Sequence, residues 1–413
     1  MIIGKRAHIT GILFLVLGTL STAEALFNRS VFFRTSSFWD EPRLVKPYLS
    51  TFEIQLLGGS NHKGRRCTGK TTNILSIYGP ENVQGLSSAN PDHPLILPNT
   101  PQTISFQAVA DVFEANFNLS QNFCHGFFTH FHLPVVLLQL YPSGYLADSC
   151  RSARASKHYK PVWQQTLQPI NKFLKPFDLA LCSTHQAGLS DSTLFLGWTT
   201  SYEDTCRLDY IDFTLQTGLL LPTGKKKSIN QPFDIAYGYN GHWAFPLMAD
   251  ISFGLFDWFT FGIHADSLFF LKKEQCIRMK AAHQASTGFI RLGKGQATVE
   301  PGIVWRAGTY LKADHFFNGL SLLLGFSYEQ QNRTKLIPRN QKLFPCAFVN
   351  NDEQLKKWAR TVVHFLVEYD FTTEESCLGP RIGFFYDRQI TGQRVFDIHT
   401  VGGYCGLDVS WCY

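Results

Sequence analysis

Methionine is scarce in this 413-residue chain, which holds only 3, and charge is thin at 17% of residues. Beyond the N-terminal segment no stretch supplies the roughly 18 uninterrupted apolar residues that a membrane helix needs. The net charge of +6 is too small an excess to mark a nucleic-acid partner. No Cys-x-x-Cys pair occurs among the ten cysteines, which argues against a zinc ribbon and against a thioredoxin-like redox centre. Fixed-period repeats and low-complexity linkers are also missing, so one domain is the natural reading. What the chain has in quantity is aromatic surface, 14% of residues, with 36 phenylalanines. Few charges with many aromatics suit a protein that exposes a wide apolar belt.

The chain begins as an exported one. Lys5, Arg6 and His8 precede an apolar run over 9–20, followed by Ala23-Glu24-Ala25. A basic start, a short apolar middle and small residues at Ala23 and Ala25 are what export signal peptidase requires. The expectation is a signal peptide over 1–25 and a mature domain over 26–413. An exported chain without a membrane helix is secreted, periplasmic or a barrel. The cysteines, at 67, 124, 150, 182, 206, 276, 346, 377, 405 and 412, all lie in the mature part, where an oxidising compartment would permit up to five disulfides.

Alternation of apolar and polar residues marks twelve candidate strands, over 48–57, 102–113, 123–133, 192–202, 208–221, 242–255, 258–271, 302–316, 320–330, 358–371, 380–387 and 404–413. In the pair around Asp257, Phe253, Leu255, Phe259, Phe261 and Ile263 face one way, while Asp250, Ser252, Thr260, His264 and Asp266 face the other. The gaps after odd-numbered strands are long. Those after even-numbered strands are short and turn-prone, at Asn118 to Asn122, Glu203 and Asp204, Asp257, Asn318 and Gly319, and 374–379. A membrane barrel with both termini on one side requires this alternation, and a β-sandwich does not. The fold expected is an all-β, transmembrane, antiparallel up-and-down barrel of about twelve strands. A short helix over 162–174, broken at Pro169, is expected in the longest loop, where it either constricts the pore or caps the outside.

The final residues are Cys-Gly-Leu-Asp-Val-Ser-Trp-Cys-Tyr, which puts Cys405, Leu407, Val409, Trp411 and Tyr413 on one strand face. This ending resembles the C-terminal strand of Gram-negative outer-membrane barrels, whose alternate apolar residues and terminal aromatic are read by the barrel-insertion machinery. The resemblance implies that Leu407, Val409, Trp411 and Tyr413 form an insertion signal. The high cysteine count is a loose compositional likeness to the cross-linked major outer-membrane proteins of some intracellular bacteria. Gly188-Leu189-Ser190-Asp191, 194–198, Gly218 and Pro222-Thr223-Gly224 look like the GLGD and PTG texture of the outer-membrane fatty-acid and aromatic-hydrocarbon transporters, with Ser190 in place of a glycine. The Asn-Pro-Ala hatch motif of the fatty-acid channels does not occur in 26–47.

A phosphate-loop pattern, GxxxxGK[ST], runs from Gly64 to Thr71, but 58–63 separates it from its strand and 74–79 is short, β-like and stopped by Pro80. A phosphate loop needs a buried strand before it and a long helix after it. The segment instead suits a first outer loop whose Lys63, Arg65, Arg66 and Lys70 face anionic lipopolysaccharide. The basic run Lys225 to Lys227 suits a solvated strand end.

The lumen-facing candidates are Glu53, Asp111, His130, His132, Asp250, His264, Arg306, Lys312, Asp314, His364, Glu368 and Arg381, with Gln55, Gln107, Asp212, Gln216, Asp266, Asp370 and Asp387 beside them. Charges of both signs in a wet lumen favour polar solutes. The function expected is a porin-like outer-membrane channel for passive diffusion of small solutes. The alternative is a non-conducting structural or adhesive barrel. A transporter of hydrophobic compounds, or a hydrolase built on His130 and His132 with Ser105 or Asp111, is a lesser option. No cofactor or metal is expected. The partners implied are the lipid bilayer, lipopolysaccharide, periplasmic chaperones and the barrel-assembly machinery, with the oligomeric state open.

Overall fold

The structure, a computed structural model, describes residues 47–87, 103–148, 163–203, 208–236, 238–256, 258–280, 288–317, 319–372, 377–397 and 399–411. The signal segment with Ala23 and Ala25, the turn residues Asp204, Asp257 and Asn318, and the terminal Tyr413 lie outside the described residues.

Twelve antiparallel strands close into one barrel. In chain order they are β1 Leu49–Asn61, β2 Thr103–Asn122, β3 Phe127–Asp148, β4 Ser192–Glu203, β5 Tyr210–Leu221, β6 Ala244–Leu255, β7 Phe259–Phe270, β8 Val304–Phe317, β9 Leu320–Gln331, β10 Trp358–Asp370, β11 Leu378–Gln393 and β12 His399–Ser410. Each strand pairs with its neighbours in sequence, and β1 pairs with β12 from Leu49↔Ser410 to Gly58↔Val401, which closes the ring. Closure leaves no barrel edge to be capped.

Most strands are 12 to 14 residues long, but β2 and β3 run to 20 and 22 and stand above the rest as a tall hairpin. Strand lengths correct two expectations. Asn118, Ser120 and Asn122 are not a turn but the lower end of β2, and the reversal comes at 123–126. The connection from β11 to β12 shrinks to 394–398, because β11 continues to Gln393.

The outer wall carries an apolar band. Phe52, Leu56, Leu119, Leu194, Leu196, Phe245, Leu247, Ile263, Leu311, Leu324, Phe326 and Leu407 are all exposed, on strands from around the ring. Trp198, Trp243, Trp258 and Trp411 sit toward its edges. Strands of this length span the roughly 30 Å hydrocarbon core of a bilayer when tilted. Cys405 and Leu407 of β12 face outward in this band, and Trp411 is tied to the first strand, its backbone N–H donating to Tyr48 O at 3.1 Å and its indole N–H to Ser50 Oγ at 2.8 Å.

On the inner wall, rings lie flat over glycines of the adjacent strand. Gly262 is the register partner of Tyr310 and Gly383 of Tyr404, and a Cβ at either glycine would overlap the partner ring. Gly254 with Tyr210 and Gly197 with Phe128 repeat the arrangement. The close approach of ring to backbone is what demands glycine at these points.

Above the barrel the long connections fold into a cap. A three-stranded sheet of Lys273–Met279, Gly293–Glu300 and Lys335–Pro338 stands beside a smaller one of Lys63–Arg65, Thr71–Asn73 and Val395–Phe396. Helix α1, Trp163–Leu174, continues through Pro169 without a break, which corrects the expected interruption. Its Ile170, Phe173 and Leu174 join Ile74, Phe233 and Phe289 in an apolar core that rests on the inner face of the tall β2–β3 hairpin. The helix therefore belongs to the cap.

Seven of the ten cysteines are described, and all seven are free thiols: Cys67, Cys124, Cys182, Cys276, Cys346, Cys377 and Cys405. None of the disulfides that an oxidising compartment would permit is formed among the described residues. Cys124 and Cys377 lie at the lower turns, whereas Cys67, Cys276 and Cys346 lie in the cap.

Candidate functional site: the barrel interior and its cap

The alternation of each strand decides what reaches the interior. In the lower barrel it sends Glu53, His130, His132, Asp250, His264, Arg306, Lys312, His364, Glu368 and Arg381 inward, with Asp314 at the bulged lower end of β8. Gln55, Asp212, Gln216, Asp266 and Asp387 face the same way.

Asp111 is the exception. In β2 the buried positions are Ile104, Phe106, Ala108, Ala110 and Val112, so Asp111 and Gln107 lie on the opposite, outer side. The upper half of this strand stands under the cap, whose core takes up the apolar side. Below Val112 the same side stays inside but turns polar: Phe113 and Leu119 are exposed, and Glu114, Asn116 and Asn118 are buried inside.

The inward charges meet each other rather than open water. Arg381 lies 3.5 Å from Glu53 Oε2, 3.2 Å from Glu368 Oε2 and 3.7 Å from Asp408 Oδ2, and is 4% exposed. Glu53 is completely buried and also accepts from Gln55 Nε2 at 2.7 Å and Asn118 Nδ2 at 3.0 Å. Tyr404 donates its hydroxyl to Glu368. Higher in the barrel, Arg360 is bound to Glu329 and Arg306 to Asp266 at 2.6 Å. Tyr310 donates to Asp250 at 3.1 Å, and Lys312 pairs with Asp314 at 3.1 Å. These contacts form a chain of paired, buried polar groups along the inner wall of the barrel.

The two histidines singled out for hydrolysis have other partners. His130 Nδ1 is 2.9 Å from Ser120 Oγ, and His132 Nδ1 is 2.7 Å from Asn118 Oδ1. Ser105 and Asp111 are on the outer side of β2, away from them. A serine–histidine–aspartate line occurs elsewhere: Ser327 Oγ is 2.7 Å from His364 Nε2, and His364 Nδ1 is 2.8 Å from Asp387 Oδ1. These three come from β9, β10 and β11, and no local spacing in the sequence announces them. Ser327 is 2% exposed, so its hydroxyl is packed as one link of the interior network.

The GLSD and PTG segments come together at the upper rim. Thr223 donates its hydroxyl to Ser190 O at 2.6 Å and accepts from Ser192 N at 3.0 Å. Asp191, between β3's short partner strand Thr184–Leu189 and β4, accepts from Gly224 N at 2.9 Å and Tyr239 N at 2.5 Å. Burial pushes its carboxyl up to about 6 against the pull of those two amides. Gly238 approaches so closely that a Cβ would overlap this carboxylate, and its φ of +72° adds a second reason for glycine. The motif is thus a clasp joining the 222–243 connection to β4.

Within the cap lies a cavity of about 450 Å³. Tyr78, Leu179, Met279, Phe289 and Phe396 supply its apolar side. Arg278 at its edge is a strut: it donates to Ile229 O at 2.8 Å, Leu292 O at 3.0 Å and Phe177 O at 2.6 Å. Arg291, also on the wall, is bound by both oxygens of Asp352. A volume of this size holds a small molecule. Gly64 to Thr71 forms a β-hairpin whose turn is closed by Arg66 N to Lys70 O at 3.0 Å, and not a helix-capping phosphate loop.

No family model matches the chain, and no curated protein is similar to it in sequence. Among solved structures, it is similar to an outer-membrane channel from Pseudomonas putida F1, at 10% identity over 88% of this chain and 96% of that one, with a TM-score of 0.49. The Pseudomonas putida toluene transporter TodX aligns at 10% identity over 95% and 97%, with a TM-score of 0.33. The translocator domain of the autotransporter NalP from Neisseria meningitidis aligns at 8% identity over 89% of each chain, with a TM-score of 0.34.

Proposed function

We propose that the chain is a bacterial outer-membrane channel for small solutes that rests closed. The observation carrying this reading is the interior ion-pair packing centred on Arg381, beneath a cap with its own small-molecule cavity. A structural wall needs only shape, whereas a stack of mutually satisfied charges can separate and solvate when the barrel opens. Small solutes would enter through the cap and cross when those pairs part. The exposed apolar band supports a barrel set in lipid, and the outward apolar face of β12 suits recognition by the barrel-assembly machinery after export. Transport on this reading involves no covalent step, so a fluorophosphonate should leave Ser327 unlabelled.

The test is single-channel conductance of the refolded mature chain in a planar bilayer, with a heat-shift gel confirming the closed barrel. Brief discrete openings from a closed baseline, made frequent by Arg381→Ala, are expected. A heat-modifiable barrel that conducts in neither form would overturn the channel and leave a non-conducting structural barrel.

A further inference from the structure

At the upper ends of β5, β6 and β7, four lysines crown the apolar band. Lys225 and Lys226 follow β5 after Pro222-Thr223-Gly224, and Lys272 and Lys273 follow the end of β7. Lys225, Lys226 and Lys272 are exposed. Immediately below them Trp243 and Leu271 are exposed at 42% and 49%, joined by the bond from Leu271 N to Trp243 O at 2.9 Å. Phe245 and Phe269 continue the apolar surface downward on the same two strands.

Two of the four, Lys226 and Lys273, are held, not loose. Lys273 Nζ donates to Gly241 O at 2.8 Å, and the stem of Lys226 lies against Gly241, whose φ of +80° turns the loop beneath it. Lys227 N donates to Asn240 Oδ1 at 2.9 Å, and the Asp191 clasp fixes Gly224 just before the run. Lys226 and Lys273 thus converge on the same glycine, Gly241, despite their like charge. Burial, and then Lys226, hold the Lys273 ammonium below its usual range. Two ammonium groups fixed side by side repel, and an anion set between them removes that repulsion.

We infer that Lys225, Lys226, Lys272 and Lys273, with Trp243 and Leu271 beneath them, form a binding site for a phosphorylated lipid headgroup of the leaflet around the upper rim. The phosphate sits among the ammonium groups, and the acyl chains run down the wall over Trp243, Leu271, Phe245 and Phe269. Continuity with the apolar band selects a lipid over a free anion, because a soluble phosphate has no use for that wall. The assignment rests on the outer-membrane reading for its lipid and not on conduction.

The test measures the heat-modifiability midpoint of the mature chain refolded in detergent, titrated with a diphosphorylated glycolipid, its dephosphorylated form, or inorganic phosphate. The diphosphorylated lipid should raise the midpoint, and the Lys226→Gln/Lys272→Gln/Lys273→Gln variant should need on the order of a hundredfold more lipid for the same shift. A control variant elsewhere on the cap, Lys335→Gln/Arg339→Gln, should respond as the wild type does. Should the triple variant fail to fold, Lys225→Glu/Lys272→Glu reverses two exposed charges without touching Gly241 and should also lose the shift. An equal shift with the dephosphorylated lipid, an equal one with inorganic phosphate, or an undiminished one in the lysine variants would each overturn the site. A barrel that conducts without the lipid shift overturns this assignment alone; a lipid shift without conductance overturns the channel alone.

Discussion

Arg360 on β10 donates its Nε to Glu329 Oε2 on β9 at 2.6 Å, and the two are register partners with both side chains buried. Trp358 lies 5.8 Å from the guanidinium. Removing one partner leaves the other as an uncompensated charge in a dry setting, so Arg360→Ala should lower unfolding stability by about 3–5 kcal/mol. Replacing both, as Arg360→Met with Glu329→Leu, should recover most of that loss. Urea unfolding of the refolded barrel, followed by tryptophan fluorescence, reads both. A double variant as unstable as the single one would show that the pair is not the unit of stability.

Arg381 holds three carboxylates, Glu53, Glu368 and Asp408, that have nothing else in common along the chain. Arg381→Ala leaves them facing one another, and the least costly response is hydration of the interior. The variant should open more often than the wild type and prefer cations, whereas Arg381→Lys should open less than Arg381→Ala. Reversal potentials across a salt gradient give the preference directly; an anion preference in Arg381→Ala would contradict this account.

Asp191 carries a pH dependence of known sign. Its folded value of about 6 lies above that of a free carboxylate, so folding takes up a proton between about pH 4 and 6. Its contribution is complete below that window and is lost as pH rises through it, by up to about 3 kcal/mol. Asp191→Asn should flatten this part of the stability profile. The measurement is the urea midpoint of both proteins from pH 3.5 to 7, and parallel curves would remove Asp191 as the titrating group.

Arg278 is tied to the carbonyls of Phe177, Ile229 and Leu292, which belong to three separate stretches of the cap. Arg278→Ala unbinds all three and should cost the cap about 3 kcal/mol. The barrel wall does not depend on it. Limited proteolysis should therefore cut the cap faster in the variant, while the heat shift of the barrel remains. Loss of the heat shift would instead mean that cap and barrel fold as one unit.

The wall was legible in the sequence because a lipid-facing strand alternates over its whole length. β6, β7 and β12 show this directly, with Phe253, Phe261 and Leu407 turned outward. β2 defeats the same rule, because its apolar side is Ile104 to Val112 on the inside above and Phe113 to Leu119 on the outside below. A parity argument has no means of knowing that a cap would cover the upper half, and Asp111 was misplaced for that reason. The interior contacts were illegible for another reason. Glu53 and Arg381 stand on strands at opposite ends of the chain, as do Thr51 and Asp408, whose side chains meet at 2.8 Å. The Ser327, His364 and Asp387 line likewise exists only because three strands stand side by side.

The rings laid over Gly262, Gly383, Gly254 and Gly197 have a mechanical consequence. Bulky groups that would otherwise crowd the bore are paved onto its lining, and the axis is left to the charged side chains. Paving of this kind stiffens the staves, since each ring is seated on its neighbour's backbone. If the barrel opens as proposed, what rearranges is therefore the long, jointed charged groups at the centre, turning about their own bonds inside a casing that keeps its diameter.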